Sequence, residues 1–238
     1  MKLVKLYKRV IREGAAESCI ATFGDILFAD QLGGDEKNTG IENKHAKAVY
    51  NFTDFDFGEN IKPEVQQVIV DLQQCMTTYP DVLRPKVQKV FRGTSAPIMA
   101  FIKNHKMPTY NETAPLLYKA KSKVQSWTEY ESIAESFGEA EELNEFCQPY
   151  ENFNDYTLEW LVSEIKGFKI PIILEYKATP KDFMFKGEYL NQMSEFGTEY
   201  EVIRVDDSPI TVEAYLNEKH LNYSARTLMR RLNELMRN

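Results

Sequence analysis

Three short groups of polar residues in this chain could act together on one substrate. Each group lies beside an apolar run, and the groups are Arg92-Gly93-Thr94, Ser126-Trp127-Thr128 and Glu199-Tyr200-Glu201. An arginine offers a planar fork of donors that suits a diphosphate, and a following glycine lets a ligand approach the backbone. A hydroxyl can orient a carboxylate, and a carboxylate can stabilise a developing cation. The set suits cleavage of a glycosidic bond to a cationic leaving group.

The acidic pair is the most unusual of the three groups. On an extended strand Glu199 and Glu201 share one face and Tyr200 lies on the other. Two like charges this close are costly unless they share a cation or a proton. The alternative is an edge strand with both glutamates in solvent, which is common on protein surfaces. The order of all three groups, rather than the pair alone, favours a functional site.

The patterns around these groups predict strands that hold them. Residues 87–94 form an apolar strand that ends at the arginine and glycine of the first group. Ser126 and Thr128 occupy alternate positions, so a strand places both hydroxyls on one face. Residues 199–205 carry a β-branched run after the acidic pair, which is typical of a buried strand.

The remaining patterns predict many helices in the first half of the chain and more strands in the second. Helices are predicted at 1–13, 63–76, 96–106, 129–146, 154–166 and 218–237, strands at 170–176 and 211–216, and loops at 30–44 and 178–198. Residues 50–57 are predicted as a half-buried strand or an extended arm, and residues 116–118 lead towards another strand. This arrangement is typical of the α+β class.

The composition is that of a globular protein, with 43% hydrophobic and 27% charged residues. The net charge of -7 argues against a protein that wraps along nucleic acid. No apolar run reaches the ~18 residues of a membrane span, and the N-terminus lacks the apolar core of a secretory signal. Three separated cysteines, Cys19, Cys75 and Cys147, and three isolated histidines indicate reduced thiols in the cytoplasm and no metal site.

The three groups resemble the motifs of the R-S-E class of mono-ADP-ribosyltransferases, which includes arginine-directed bacterial toxins and the Mod and Alt enzymes of tailed phages. Phe91-Arg92-Gly93-Thr94 resembles the family's Arg-Gly strand end, and Glu199-Tyr200-Glu201-Val202-Ile203 resembles its Glu-x-Glu-aliphatic signature. Ser126-Trp127-Thr128 stands where the family has Ser-Thr-Ser, and its tryptophan departs from the toxin pattern. The serine follows the arginine by 34 residues and the second glutamate follows the serine by 75, which also suits the family. The resemblance covers about residues 87–215.

This resemblance implies an ADP-ribosyltransferase-type split β-sandwich around an NAD cleft, with a mainly helical N-terminal region. It divides the chain into residues 1–80 and a catalytic core of residues 81–238, which together form one continuous domain. NAD⁺ would be the ADP-ribose donor, with no metal. Arg92 would hold the diphosphate or the neighbouring ribose, and the backbone of Gly93 would bind the nicotinamide amide. The expected cofactor-binding set also contains Thr94, Ser126, Thr128 and Phe137.

The resemblance also implies a division of labour in catalysis. Ser126 would hydrogen-bond Glu201 and fix its rotamer, and Glu201 would stabilise the oxocarbenium ion that forms as nicotinamide leaves. Glu199 would hold an acceptor guanidinium and help to deprotonate it. Phe137 would pack against the nicotinamide ring, although core packing on a helix face is an equal alternative for this residue.

Three functions compete at this point. The first is transfer of ADP-ribose to arginine side chains, the second is NAD⁺ hydrolysis with water as acceptor, and the third is a non-catalytic interaction protein. That third function would use the acidic helix 129–146 and the basic C-terminal helix as docking surfaces. For a transferase, similarity to phage enzymes implies a target such as host RNA polymerase or a ribosome-associated protein, in the host cytoplasm if the chain is phage-encoded. A nucleic-acid acceptor and an NAD-capped RNA donor stay open, and no membrane partner is expected.

Overall fold

A computed structural model describes residues 14–15, 19, 63–80, 89–119, 124–179, 182, 184–186, 201–206 and 208–237. For some of these, Ser126 and Glu201 among them, the description stops at the backbone. The described residues combine helices with antiparallel strands, which confirms the α+β class. The chain divides into two compact units, which we name after their strands. The four-stranded unit is Lys89–Tyr118, Tyr130–Lys177 and Pro209–Asn238, and the three-stranded unit is Met1–Gln88, Lys119–Glu129 and Ala178–Ser208.

The strands of the four-stranded unit pair antiparallel throughout. They are β1 (Lys89–Pro97), β2 (Ala114–Tyr118), β4 (Lys169–Lys177) and β7 (Ile210–Leu216), in the order β2-β7-β4-β1. The central strand β4 carries the apolar run 170–174, and all five of these residues are buried. Strand β7 instead alternates buried and exposed residues over its first half. Such a continuous apolar run is expected of a strand that is covered on both faces.

Among the described residues, four short helices and one long helix belong to the four-stranded unit. They are α2 (Met99–Ile102), α3 (Glu131–Ala134), α4 (Glu141–Cys147), α5 (Leu158–Ile165) and α6 (Tyr223–Arg237). Helix α6 buries Ala225, Leu228, Met229 and Leu232, whose spacing forms one apolar stripe. This stripe explains why α6 contacts both α4 and α5.

The three-stranded unit contains α1 (Pro63–Thr78), β3 (Val124–Thr128), β5 (Met184–Lys186) and β6 (Glu201–Val205). Its strands are antiparallel in the order β3-β6-β5, and α1 contacts the middle strand, β6. Trp127, Val202 and Met184 are almost completely buried, and each comes from a different strand. The strand that carries Glu201 is therefore hydrogen-bonded along both of its edges.

Two predicted boundaries around the first polar group were wrong. Strand β1 continues to Pro97 because β4 supplies pairing partners as far as Lys169, so Arg92 and Gly93 lie in mid-strand rather than at its end. The helix predicted over residues 96–106 is limited to α2 because its first residues belong to β1. The backbone at His105, where φ is 50°, then leaves the helical region.

Three other predicted elements differ in extent. The acidic helix predicted over residues 129–146 is interrupted between α3 and α4, where Gly138 has a φ of 125°. The C-terminal helix begins at Tyr223 instead of residue 218, since Glu218–His220 forms a separate 3-10 turn. The loop predicted over residues 178–198 contains β5, whose three residues are too few to show a period of two.

The cysteines also differ from the expectation of three reduced thiols. Cys19 and Cys75 form a disulfide, with Cα atoms 6.0 Å apart, a separation that suits such a bond. Cys147 is a free thiol, buried in the four-stranded unit. No helix in the described part of the chain is long and apolar enough to cross a membrane. The predictions for residues 1–13, 30–44 and 50–57 fall outside the described residues.

Candidate functional site

The first polar group occupies the middle of β1 in the four-stranded unit. Arg92, Gly93 and Thr94 lie opposite residues 174, 173 and 172 of the central strand β4. Strand alternation places the arginine and the threonine on the face that also carries the buried Val90. Arg92 and Thr94 are themselves half-buried. Pairing with β4 on one edge of β1 therefore fixes the backbone of Arg92.

Gly93 is required by the protein's own packing. A Cβ atom at this position would lie 1.9 Å from the carbonyl oxygen of Ala134 and 2.8 Å from Cβ of Phe137. No other residue type fits there without moving the chain that follows α3. The glycine therefore brings this segment against β1, beside Arg92. Hydrogen bonding of the Gly93 backbone to nicotinamide stays a prediction.

Residues 135–139, which we call the Phe137 turn, are held against β1 on one flank. The hydroxyl of Ser95 donates to the carbonyl of Glu139 at 3.0 Å and accepts from the amide of Glu139 at 2.7 Å. Gly138 makes the reversal possible, because its φ of 125° is unfavourable for other residues. The side chain of Phe137 is 49% exposed, so the core-packing alternative does not account for it.

The opposite flank of the Phe137 turn is held by residues that follow β7. Asn217 is 2% exposed, and its side-chain amide donates to the carbonyls of Glu135 and Phe137, both at 3.0 Å. The Nε2 atom of His220 lies 3.0 Å from the same Glu135 carbonyl. Lys219 forms an ion pair with the carboxylate of Glu135. The exposed ring of Phe137 thus lies on a turn whose carbonyls are hydrogen-bonded by side chains that follow β7.

The second and third polar groups meet in the three-stranded unit. Strands β3 and β6 are adjacent and antiparallel, and their register sets Thr128 opposite Glu201 and Ser126 opposite Ile203. Directly opposite residues in such a pair have Cα atoms roughly 4.5–5.5 Å apart. The backbone therefore brings a hydroxyl-bearing strand beside the strand of the acidic group. Glu199 lies outside the described residues, and so its position is untested.

Buried polar groups fix this pair of strands from the other face. Arg204 is completely buried, and it donates to the carbonyl of Asp206 at 2.6 Å and to the side chain of Gln125 at 3.4 Å. Gln125 in turn donates to the Asp206 carbonyl at 2.6 Å. Since Gln125 is in β3 and Arg204 is in β6, these bonds hold the register between the two strands. Trp127 and Thr128 are also buried here.

A polar cluster on the four-stranded sheet is satisfied within itself. Glu175 accepts a hydrogen bond from Tyr215 at 2.9 Å and pairs with Lys89 at 2.6 Å. Burial and the adjacent Glu175 carboxylate raise the pKa of Tyr215 to about 12. Tyr215 is thus a neutral donor near pH 7 and not a base. Within the described ranges no three His, Cys, Asp or Glu residues are grouped as metal ligands would be.

The sequence-predicted residues fall into two sets. One set, Arg92, Gly93, Thr94 and Phe137, is together in the four-stranded unit, and the other, Ser126, Thr128 and Glu201, is together in the three-stranded unit. Sequence reasoning missed Ser95, Asn217 and Arg204, because each acts on the backbone of a residue far along the chain or on a strand register. No local pattern marks such contacts.

Comparison with known proteins identifies no relative of this chain. No protein-family model matches the sequence, and neither a curated protein nor a solved structure matches it. The functional interpretation therefore depends on the chemistry of these residues, on the strand register and on the motif resemblance.

Proposed function

We propose that this protein is a mono-ADP-ribosyltransferase that moves ADP-ribose from NAD⁺ to arginine side chains of target proteins. The observation that carries the proposal is the register of β3 and β6, which sets Thr128 directly opposite Glu201. These two residues come from the separate sequence groups that resemble the Ser-x-Ser and Glu-x-Glu motifs. Their meeting on adjacent strands supports a shared function, because it places a residue of one group directly beside a residue of the other.

In the proposed reaction the bond between nicotinamide and the ribose breaks, and its electron pair leaves with neutral nicotinamide. Glu201 stabilises the resulting oxocarbenium ion, and Ser126 orients that carboxylate. Glu199 takes a proton from the acceptor guanidinium, whose nitrogen then forms the new bond to the ribose. The ADP-ribosyl group thereby moves from one nitrogen to another, and one proton is released.

The proposed donor-binding residues come from the first two polar groups and the Phe137 turn. Arg92 has the planar fork that a diphosphate requires, and its place opposite the central strand β4 limits its movement. Phe137 offers an exposed ring to the nicotinamide, which is a cation in NAD⁺ and is attracted to aromatic faces. Thr94 and Thr128 complete the proposed cofactor-binding set.

The finer fold assignment belongs to the same proposal. A split β-sandwich of the ADP-ribosyltransferase type, with an NAD cleft, is supported by the antiparallel pairing within each unit. The proposed partner is a protein with an accessible arginine, such as host RNA polymerase or a ribosome-associated protein. The proposed location is the cytoplasm, which would be that of the host for a phage enzyme; it depends on the motif resemblance and not on the cysteines, two of which form a disulfide.

The proposal is tested by incubating the protein with NAD⁺ labelled in its adenylate and with a cell lysate. Transfer is expected to give labelled protein bands together with free nicotinamide. Free nicotinamide without labelled bands would indicate the glycohydrolase instead. If neither labelled bands nor free nicotinamide forms, the proposed function is wrong and the non-catalytic interaction protein is favoured. A Glu201→Gln variant controls for labelling by contaminants.

A further inference from the structure

The end of strand β7 reaches the Phe137 turn through a single buried side chain. Asn217 uses both hydrogens of its amide, one on the carbonyl of Glu135 and one on the carbonyl of Phe137. Its own backbone amide donates to the carbonyl of Pro171 at 3.0 Å, which ties the residue to β4. Asn217 thus connects the sheet to the segment that carries the exposed ring.

The backbone that carries Phe137 is constrained at three points. Gly93 allows the turn to contact β1, Ser95 bonds Glu139 at the far end, and Asn217 bonds the two carbonyls in the middle. The remaining freedom of Phe137 lies in its side-chain torsions. Because the backbone is already held, only the side-chain torsions of Phe137 have to be ordered when a second ring stacks on it.

We propose that Asn217 is a positioning residue that fixes Phe137 for stacking against the nicotinamide ring of NAD⁺. This inference rests on the proposed function and adds a residue that the motifs do not contain. Asn217 acts through the backbone of the turn and does not itself touch the substrate. Its effect is therefore specific for the nicotinamide half of the ligand and absent for the ADP-ribose half.

The substitution Asn217→Asp tests this role because it keeps the shape of the side chain. The carboxylate has no hydrogen to donate, and its oxygens face two carbonyl oxygens. The turn is then expected to loosen, and hydrogen exchange of the amides of residues 135–139 to speed up. We expect the Kd for NAD⁺ to rise roughly 3- to 30-fold, the range that a lost ring-to-cation contact implies. The Kd for ADP-ribose, which has no nicotinamide, is expected to change less than about twofold.

The matched control is Asn144→Asp. Asn144 also bridges backbone groups in the four-stranded unit, donating to the carbonyl of His220 and accepting from the amide of Asn222, both at 2.8 Å. A purely structural role predicts a loss of stability in both variants and no change in the ratio of the two Kd values. Asn217→Ala offers a second variant, which removes both bonds without placing a charge beside the carbonyls, and it decides the matter if Asn217→Asp does not fold.

A double-mutant cycle tests whether Asn217 acts through the ring of Phe137. In a Phe137→Ala background, Asn217→Asp should lower the affinity for NAD⁺ no further, since the contact that Asn217 supports is already absent. The positioning role would be wrong if Asn217→Asp lowers the affinities for NAD⁺ and ADP-ribose equally, or if it leaves the amide hydrogen exchange of residues 135–139 unchanged. The proposed function would still stand in either case. Failure of the wild-type protein to bind NAD⁺ at all would overturn both, and the exchange data would still show what Asn217 does to the turn.

Discussion

Thr128 lies directly opposite Glu201 in the antiparallel pair that β3 and β6 form. The two residues belong to sequence groups that are far apart in the chain, and the fold makes them neighbours. Behind the pair, the buried Arg204 bonds both to Gln125 and to Asp206, which resists a slip of one strand along the other. A slip by one residue would move every side chain of β6 to the opposite face. The register is therefore the feature on which the proposed chemistry depends.

The proposed role of Glu201 predicts the effect of its amide. Glu201→Gln should lower both ADP-ribose transfer and NAD⁺ hydrolysis by roughly 10²–10⁴, because charge stabilisation at the transition state is lost. The affinity for NAD⁺ should change little, since the lost interaction belongs mainly to the transition state. Nicotinamide release and calorimetric titration measure the two quantities. Glu213→Gln, which changes an exposed glutamate on β7, serves as the control. Near-normal turnover of the Glu201 variant would remove this residue from the mechanism.

Arg92 is expected to need its fork of donors as well as its charge. Arg92→Lys keeps the charge but cannot bind a phosphate through two parallel hydrogen bonds. Both the NAD⁺ affinity and the rate should fall, because holding the diphosphate also orients the reacting ribose. Arg230→Lys on the exposed face of α6 should change neither. Unchanged affinity in the Arg92 variant would indicate that this residue has a structural role only.

Gly93→Ala should destabilise the four-stranded unit and displace the Phe137 turn. The new methyl group would lie 1.9 Å from the carbonyl of Ala134, and such overpacking costs about 3 kcal/mol or more. Gly167→Ala is the matched control, since no atom lies within 4 Å of the position of its Cβ, and it should alter stability by less than about 0.5 kcal/mol. Thermal or denaturant unfolding of both variants measures the difference. Equal stability would mean that the segment after α3 does not pack on Gly93.

The number of thiols that react should depend on whether the protein is unfolded and whether it is reduced. Burial raises the pKa of Cys147 to about 12, so the reactive thiolate is scarce at pH 8, and the folded protein should not react with Ellman's reagent within minutes. Unfolding without reductant should expose one thiol, and unfolding after reduction should expose three, because Cys19 and Cys75 are joined. Three thiols without reductant would contradict the disulfide.

Part of this arrangement could be predicted from local patterns. The apolar run at residues 170–174 and the alternate hydroxyls of Ser126 and Thr128 each predict a strand, and both strands are confirmed. Long-range contacts left no such signal. No local pattern indicates that Gly93 is also needed for packing, because the backbone of Ala134 fills the space that a side chain would take. Asn217 sits between an apolar strand and a charged turn, and only its distant hydrogen-bond partners reveal its importance.

Transfer to arginine, in contrast to hydrolysis, depends on Glu199 in this account. A carboxylate can hold a guanidinium through paired hydrogen bonds, and an amide loses the charge and one acceptor. Glu199→Gln should therefore nearly abolish transfer to the arginine analogue agmatine and leave slow NAD⁺ hydrolysis largely intact. If agmatine accelerates nicotinamide release equally in the variant and the wild type, Glu199 does not handle the acceptor.

Transfer of ADP-ribose to arginine can be measured by mass spectrometry of the wild-type protein's reaction with NAD⁺ and agmatine. We expect ADP-ribosyl-agmatine, formed in step with free nicotinamide and absent with Glu201→Gln. Free ADP-ribose without the agmatine adduct would contradict transfer to arginine. Intact NAD⁺ after prolonged incubation would contradict the enzyme as a whole.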